Sequence, residues 1–204
     1  SSNFTPELLA RDPDNRLLAR GPRFRLPAEV IRDQALAVSG LLVPTIGGPS
    51  VKPPQPPGLW EAVSYNGEAS YTADTGAATH RRGLYTFWKR QSPPPDMLTL
   101  DGPTREVCTV RRPRTNTPLQ ALLLLNDENY LEAARALAQL AMKQKHDHRI
   151  EWIFQQVTGR QPKLRELAIL GDYLFSQRIA SNETQAWTML ASLLMNLDEV
   201  QTLH

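Results

Sequence analysis

The stretch Thr117-Pro118-Leu119-Gln120-Ala121-Leu122-Leu123-Leu124-Leu125-Asn126-Asp127 carries the clearest structural instruction in the chain. A threonine with a glutamine three positions later is a capping box, in which each side chain serves a backbone amide that the first helical turn leaves orphaned. Proline between them suits the first helical position, where no amide hydrogen is needed. A helix therefore starts at Thr117 and runs through Leu125. Asn126-Asp127 supplies a fresh cap, and a second helix is expected over 128–143.

The same grammar continues to the end. Ile150, Ile153, Phe154 and Val157 recur at helical spacing, with Asp147 before them and Gly159 after. Leu164, Leu167, Ala168, Phe175 and Ile179 mark the apolar side of another helix. Asn182, with Gln185 three later, opens the last, whose stripe is Trp187, Leu190, Ala191, Leu194 and Leu197. Short connections make such helices antiparallel neighbours, so residues 117–204 read as a helical bundle.

Upstream the composition changes. Sixteen of the 17 prolines lie at or before Pro118. Proline removes a backbone donor and breaks helix interiors, so residues 1–116 are expected to be irregular and loop-rich, with short helices. Asp12-Pro13 starts a helical turn that Gly21-Pro22 ends. A helix over 27–39 places Val30, Ile31, Ala35 and Val38 along one side, with Gly40 as its stop. Residues 44–58 read as a polyproline-like strap or linker, and 64–80 as a variable surface loop. Arg82-Gly83-Leu84-Tyr85-Thr86-Phe87-Trp88-Lys89 reads as a short strand or a helical turn: apolar side chains point both ways, which fits a buried strand, but periodicity does not exclude a buried helix. The expected fold is mainly α, a proline-rich irregular N-terminal half packed on a C-terminal antiparallel helical bundle, the two forming one compact domain of a longer parent protein.

Composition narrows the function classes. The chain has 204 residues, 41% apolar and 22% charged, which is ordinary for a packed globular protein. A net charge of +2 does not by itself point to nucleic acid. No apolar run approaches the ~20 residues of a membrane span, and Ser1-Ser2-Asn3-Phe4 has neither the basic nor the apolar region of a secretory leader. Cys108 is the single cysteine, so no internal disulfide forms and no haem-attachment motif exists. A small buried residue is the preferred reading of it, ahead of a reactive thiolate.

Several blocks together resemble one family. They are Asp12-Pro13-Asp14-Asn15-Arg16-Leu17-Leu18, Leu26-Pro27-Ala28-Glu29-Val30-Ile31-Arg32-Asp33, Gly47-Gly48-Pro49-Ser50-Val51, Leu84-Tyr85-Thr86-Phe87-Trp88-Lys89-Arg90, Pro103-Thr104-Arg105-Glu106-Val107-Cys108 and the run from Arg111 to Leu122. In order and spacing these are similar to the planctomycete-specific C-terminal domain of unknown function, and the resemblance covers essentially the whole chain. It implies an extracytoplasmic, multidomain bacterial parent, with an uncharacterised domain and often a cytochrome c-like domain upstream, linked to electron transfer or polysaccharide use. Haem would then sit in another domain, leaving no cofactor in this chain. The resemblance supplies no catalytic residues. Arg82-Gly83-Leu84 and Leu100-Asp101-Gly102-Pro103 depart from the commoner RRSL and FDAP, a change of packing rather than of chemistry.

Charge is concentrated in one segment. Residues 81–114 carry Arg81, Arg82, Lys89, Arg90, Arg105, Arg111, Arg112 and Arg114 against Asp96, Asp101 and Glu106, a local excess of +5. With Tyr85 and Trp88 interleaved, this segment fits a sulfated or carboxylated sugar or an acidic neighbouring domain, because arginine grips such oxyanions in bidentate fashion. Nucleic acid is not expected, since no binding motif accompanies the charge. The competing reading is structural: the arginines pair with the domain's own carboxylates and satisfy loop carbonyls. Arg111, Arg112, Arg114, Thr115 and Asn116 lead into the helix N-terminus at Thr117, where an anion pocket is possible; alternatively Asn116 and Thr117 merely cap the helix.

Catalytic chemistry has less support. His146-Asp147-His148 does not place both imidazoles on one helical face, so no metal site is expected. Asp101 with Glu106 is a candidate acid pair for a glycosidase, but no nucleophile elbow, P-loop or dinucleotide fingerprint is present. The expected role is a non-catalytic binding or scaffold module that contacts upstream domains of its parent and an anionic polysaccharide. The rival is an enzyme acting on such a polysaccharide.

Overall fold

The structure, a computed structural model, describes residues 5–21, 23–65 and 69–203. Their helices are α1 (Pro6–Arg11), α2 (Ala28–Val38), α3 (Pro95–Thr99), α4 (Pro118–Asn126), α5 (Glu128–Met142), α6 (Arg149–Thr158), α7 (Leu164–Ala180), α8 (Glu183–Met195) and α9 (Asp198–Gln201). Two short strands, β1 (Phe24–Arg25) and β2 (Thr202–Leu203), pair antiparallel. The chain is mainly α, as its sequence indicates.

The caps form where the side chains permit them. Thr117 Oγ1 accepts from the Gln120 amide at 3.4 Å, and Gln120 Oε1 accepts from the Thr117 amide at 3.1 Å, opening α4. Asp127 caps α5 by accepting from the Asn129 amide at 3.0 Å, and Asn182 caps α8 through the Gln185 amide at 2.8 Å. Gly159, at φ +75°, ends α6 in the left-handed conformation that glycine adopts without a Cβ clash.

The core centres on α5 and α8. Ala133, Ala134, Leu137, Ala138 and Ala141 of α5 and Ala186, Leu190, Ala191 and Leu194 of α8 are completely buried. Alanines on both sides let the helices approach closely while the leucines interlock. Helix α7 lies on α8, and α6 and α2 lie on α5. Ala28, Ile31 and Ala35 of α2, with Met97 and Leu100, join the same apolar cluster, so the proline-rich half shares the core of the bundle.

Polar groups fasten the rest of that half. The Arg81 guanidinium donates to the carbonyls of Pro49 (2.7 Å), Thr45 (3.1 Å) and Gly47, clasping the strap, and stacks 3.8 Å from the Tyr85 ring. Tyr85 accepts from the Gly47 amide at 2.7 Å. Farther along, Tyr71 donates to the Pro53 carbonyl (2.5 Å) and Asn129 of α5 to that of Pro54 (3.1 Å). Gly102 is required by packing: a Cβ there would lie 2.6 Å from the Met97 carbonyl oxygen.

Several expectations are corrected. No helix follows Asp12; its carboxylate instead accepts from the Arg16 and Leu17 amides, both at 2.8 Å, around left-handed Asn15 and Leu18. The helix lies just upstream, as α1, and the expected stop at Pro22 lies outside the described residues. In α2 the inward residues are Ala28, Ile31, Arg32, Ala35 and Leu36, and Val30 is exposed. Segment 82–89, open in sequence between a short strand and a helical turn, forms a 3-10 turn at Gly83–Tyr85 followed by an isolated bridge from Thr86 to Val51. Asp33 fixes that turn by accepting from the Gly83 amide (2.5 Å) and the Arg82 Nε (2.9 Å). The 64–80 segment is not purely a surface loop, since Thr79 is buried and Asp74 receives the Lys52 amide at 2.7 Å.

The largest misreading is in α7. Its buried residues are Leu170 and Leu174, while Leu164, Phe175 and Ile179 are exposed. This helix carries apolar residues on more than one side, so spacing alone could not choose the side that meets α8. Cys108 is exposed rather than buried.

Candidate functional site

Strands β1 and β2 draw together segments far apart in sequence, with Phe24 opposite Leu203 and Arg25 opposite Thr202. Residues 111–116 approach this small sheet before α4 begins. Asn116 accepts from Arg25 Nη1 at 3.0 Å, and the Arg114 guanidinium lies 4.1 Å from the centre of the Phe24 ring. Between these segments opens a cleft of about 540 Å³ walled by Arg23, Arg25, Arg111, Arg114, Asn116 and Asp198. A smaller hollow of about 220 Å³ adjoins it, shares Arg25, Arg111 and Arg114, and adds Asp101 and Arg112.

The four arginines of the cleft differ in what holds them. Arg23 forms an ion pair with Asp198 across partly exposed surface. Arg25 is buried and donates only to neutral amides, Asn116 and Gln201, the latter at 2.5 Å. Burial pushes its guanidinium pKa down, against the opposing fields of Asp101 and Asp198. Arg114 is steadied by the ring beneath it. Arg111 is exposed and, among the described residues, has no hydrogen bond, ion pair or ring contact. The cleft thus holds four guanidiniums against one carboxylate.

The other sequence candidates lie elsewhere or are engaged. Arg112 pairs with Glu29 at 2.7 Å. Burial acts to raise the Glu29 pKa, but Arg112 outweighs it and holds the carboxyl below its ordinary value. Thr115 does not present its amide to a ligand: that amide donates to Asp101 at 2.6 Å, and its hydroxyl donates to the same carboxylate at 2.9 Å. Asp101 therefore already sits as an internal anion beside the start of α4, with Gln120 Nε2 also donating to it at 3.3 Å. Thr117 alone makes the cap, and Asn116 serves Arg25 instead. Tyr85 belongs to the strap clasp. Trp88 donates to the Thr104 carbonyl at 3.1 Å and carries Arg105 over its ring at 4.4 Å.

Arg23, Arg25 and Asp198 were not legible as site residues, because only the pairing of β1 with β2 brings them to residues 111–116. The rest of the described surface offers less chemistry. No group of three or more His, Cys, Asp or Glu among the described residues is arranged to hold a metal ion. His80 meets Glu132 at 3.0 Å, and His204 lies outside the described residues. Asp96 is buried, and burial raises its pKa despite the opposing charge of Arg32, but it does not line the cleft. No helix among the described residues is long and apolar enough to cross a membrane.

Fold and cleft together define a helical domain with a cationic hollow beside the β1–β2 pair. The chain belongs to the PSD1 family, proteins of unknown function (DUF1553), whose model matches residues 1–174. No curated protein and no solved structure matches it.

Proposed function

We propose that this domain is a non-catalytic binding module of an extracytoplasmic, multidomain bacterial protein, and that its cleft holds an anionic partner, a sulfated or carboxylated polysaccharide. The observation that carries this reading is that, among the described residues, Arg111 beside Arg114 has no partner and buried Arg25 has no carboxylate bonded to it. Guanidiniums without internal partners are costly to gather, and an oxyanion ligand relieves that cost through charge-assisted, bidentate bonds. The resemblance to planctomycete proteins that often carry a cytochrome c-like domain supports the extracytoplasmic setting.

The enzyme reading has less support. The carboxylates lining the two hollows, Asp198 and Asp101, are engaged by Arg23 and by Thr115 with Gln120. General acid–base work requires titratable groups converging on a reacting atom, and these two face different partners.

The test is to incubate the chain with uronic and sulfated polysaccharides while measuring both binding and new reducing ends. Binding without cleavage is expected. Release of reducing ends by this chain would establish the enzyme reading instead, and no binding to any of these polymers would remove the ligand.

A further inference from the structure

Resting on the anion-binding reading, we propose that the cleft takes a sugar chain in which an anionic residue is followed by a neutral one, and that Asp198 enforces that pattern. The cleft presents two kinds of chemistry: Arg25, Arg111 and Arg114 also line the smaller hollow, whereas Arg23 and Asp198 line the cleft alone. On the side shared with the smaller hollow, Arg111 has no partner among the described residues, Arg114 has there only the Phe24 ring, and Arg25 is buried. That side is a receptor for an oxyanion.

Where the cleft stands alone, Arg23 is already neutralised by Asp198, and both side chains stay open to solvent at 56% and 49% exposure. A second anion placed there meets a carboxylate, and like-charge contact at an interface weakens binding. A hydroxyl fits: it donates to one partner and accepts from another. Asp198 supplies the acceptor and the remaining N–H groups of Arg23 the donors. Asn116, whose Oδ1 is taken by Arg25, keeps its amide NH₂ for a further acceptor. A polyhydroxylated neutral sugar satisfies these groups, and a uniformly charged polymer does not.

The measurement is calorimetric titration at one ionic strength, since salt screens exposed charges. Three probes of matched length are used: a hyaluronate oligosaccharide, which alternates a uronate with a neutral sugar, a polygalacturonate oligosaccharide, charged at every residue, and an oligoglutamate peptide. The wild-type chain is expected to bind the alternating sugar about tenfold more tightly than the uniform one. Asp198→Asn, which keeps the shape and removes the charge, is expected to abolish that preference by strengthening the uniform oligomer about tenfold. Wild-type preference for the uniform sugar, or for the peptide over both sugars, overturns the proposal. So does an Asp198→Asn ratio equal to that of the wild type. The wild-type ranking decides the matter even if the variant fails to fold. Failure of all three probes to bind overturns the anion-binding reading itself, whereas binding with the wrong ranking overturns only the charge pattern.

Discussion

Between α5 and α8 the buried groups are alanine and leucine side chains with no exposure at all, such as Ala138, Leu137, Ala191 and Leu190. Across the proline-rich half they include guanidiniums, Arg81 on three carbonyls of the strap and Arg32 on the Thr79 carbonyl, joined by half-buried Tyr71 on that of Pro53. The bundle is stabilised by apolar area removed from water, which is non-directional and roughly proportional to that area. The proline-rich half forms few repeating hydrogen bonds of its own, so long side chains must satisfy its carbonyls one by one. The difference divides the basic residues into two kinds. Those with internal partners, such as Arg81, Arg82 and Arg112, hold the fold; Arg111, with none among the described residues, is the one we propose for a ligand.

The comparison breaks most visibly in the bundle. Leu190→Ala is expected to remove about 3 kcal/mol of global stability, because a cavity opens among neighbours that cannot collapse around it. Urea unfolding followed by circular dichroism measures it, and a loss under about 1 kcal/mol would mean that α8 is not the centre of the core. Arg81→Met keeps much of the side-chain bulk and removes the clasp. It is expected to cost about 2 kcal/mol as three carbonyls lose their donor. The loss is concentrated locally, so faster amide exchange at Gly47 and Val51, with α5 and α8 still protected, is the sharper readout.

How far sequence could reveal this division depends on how local each cause is. The capping box at Thr117, the caps at Asp127 and Asn182 and the glycine stop at Gly159 are set by neighbours within a few positions, and all form. The buried side of α7 depends on which partner helix it meets, and Leu164, Phe175 and Ile179 satisfy helical spacing as well as the true contacts do. The arginine segment was visible, but its outcome was not. Glu29 of α2 for Arg112 and the strap carbonyls for Arg81 are distant in sequence. The cleft depends on a strand pair between residues 24–25 and 202–203 that neither strand announces.

A smaller effect concerns the joint between α6, α7 and α9. Arg160 donates to both Glu166 and Glu199, at 2.6 and 2.8 Å. The hydrogen bond from Arg160 leads in holding the Glu166 carboxyl down to about 2, helped by the Lys163 amide. A carboxyl depressed in the folded state contributes stability above its ordinary value of 4.5, and that contribution is lost as pH falls toward about 2. The urea midpoint is therefore expected to decline across that window, and the decline is expected to be shallower in Arg160→Ala. Because the joint is exposed, the effect is modest and weakens with salt. An identical pH profile in the variant would assign the decline to other carboxylates.

The division of the arginines is tested most directly at Arg111. Arg111→Ala is compared with the wild-type chain for thermal unfolding and for affinity toward a uronate oligosaccharide. Stability is expected to stay within about 0.5 kcal/mol, as for a surface residue with no partner, while affinity falls at least tenfold. Unchanged affinity, or a loss of affinity matched by a loss of stability, would contradict the assignment of Arg111 to ligand rather than to fold.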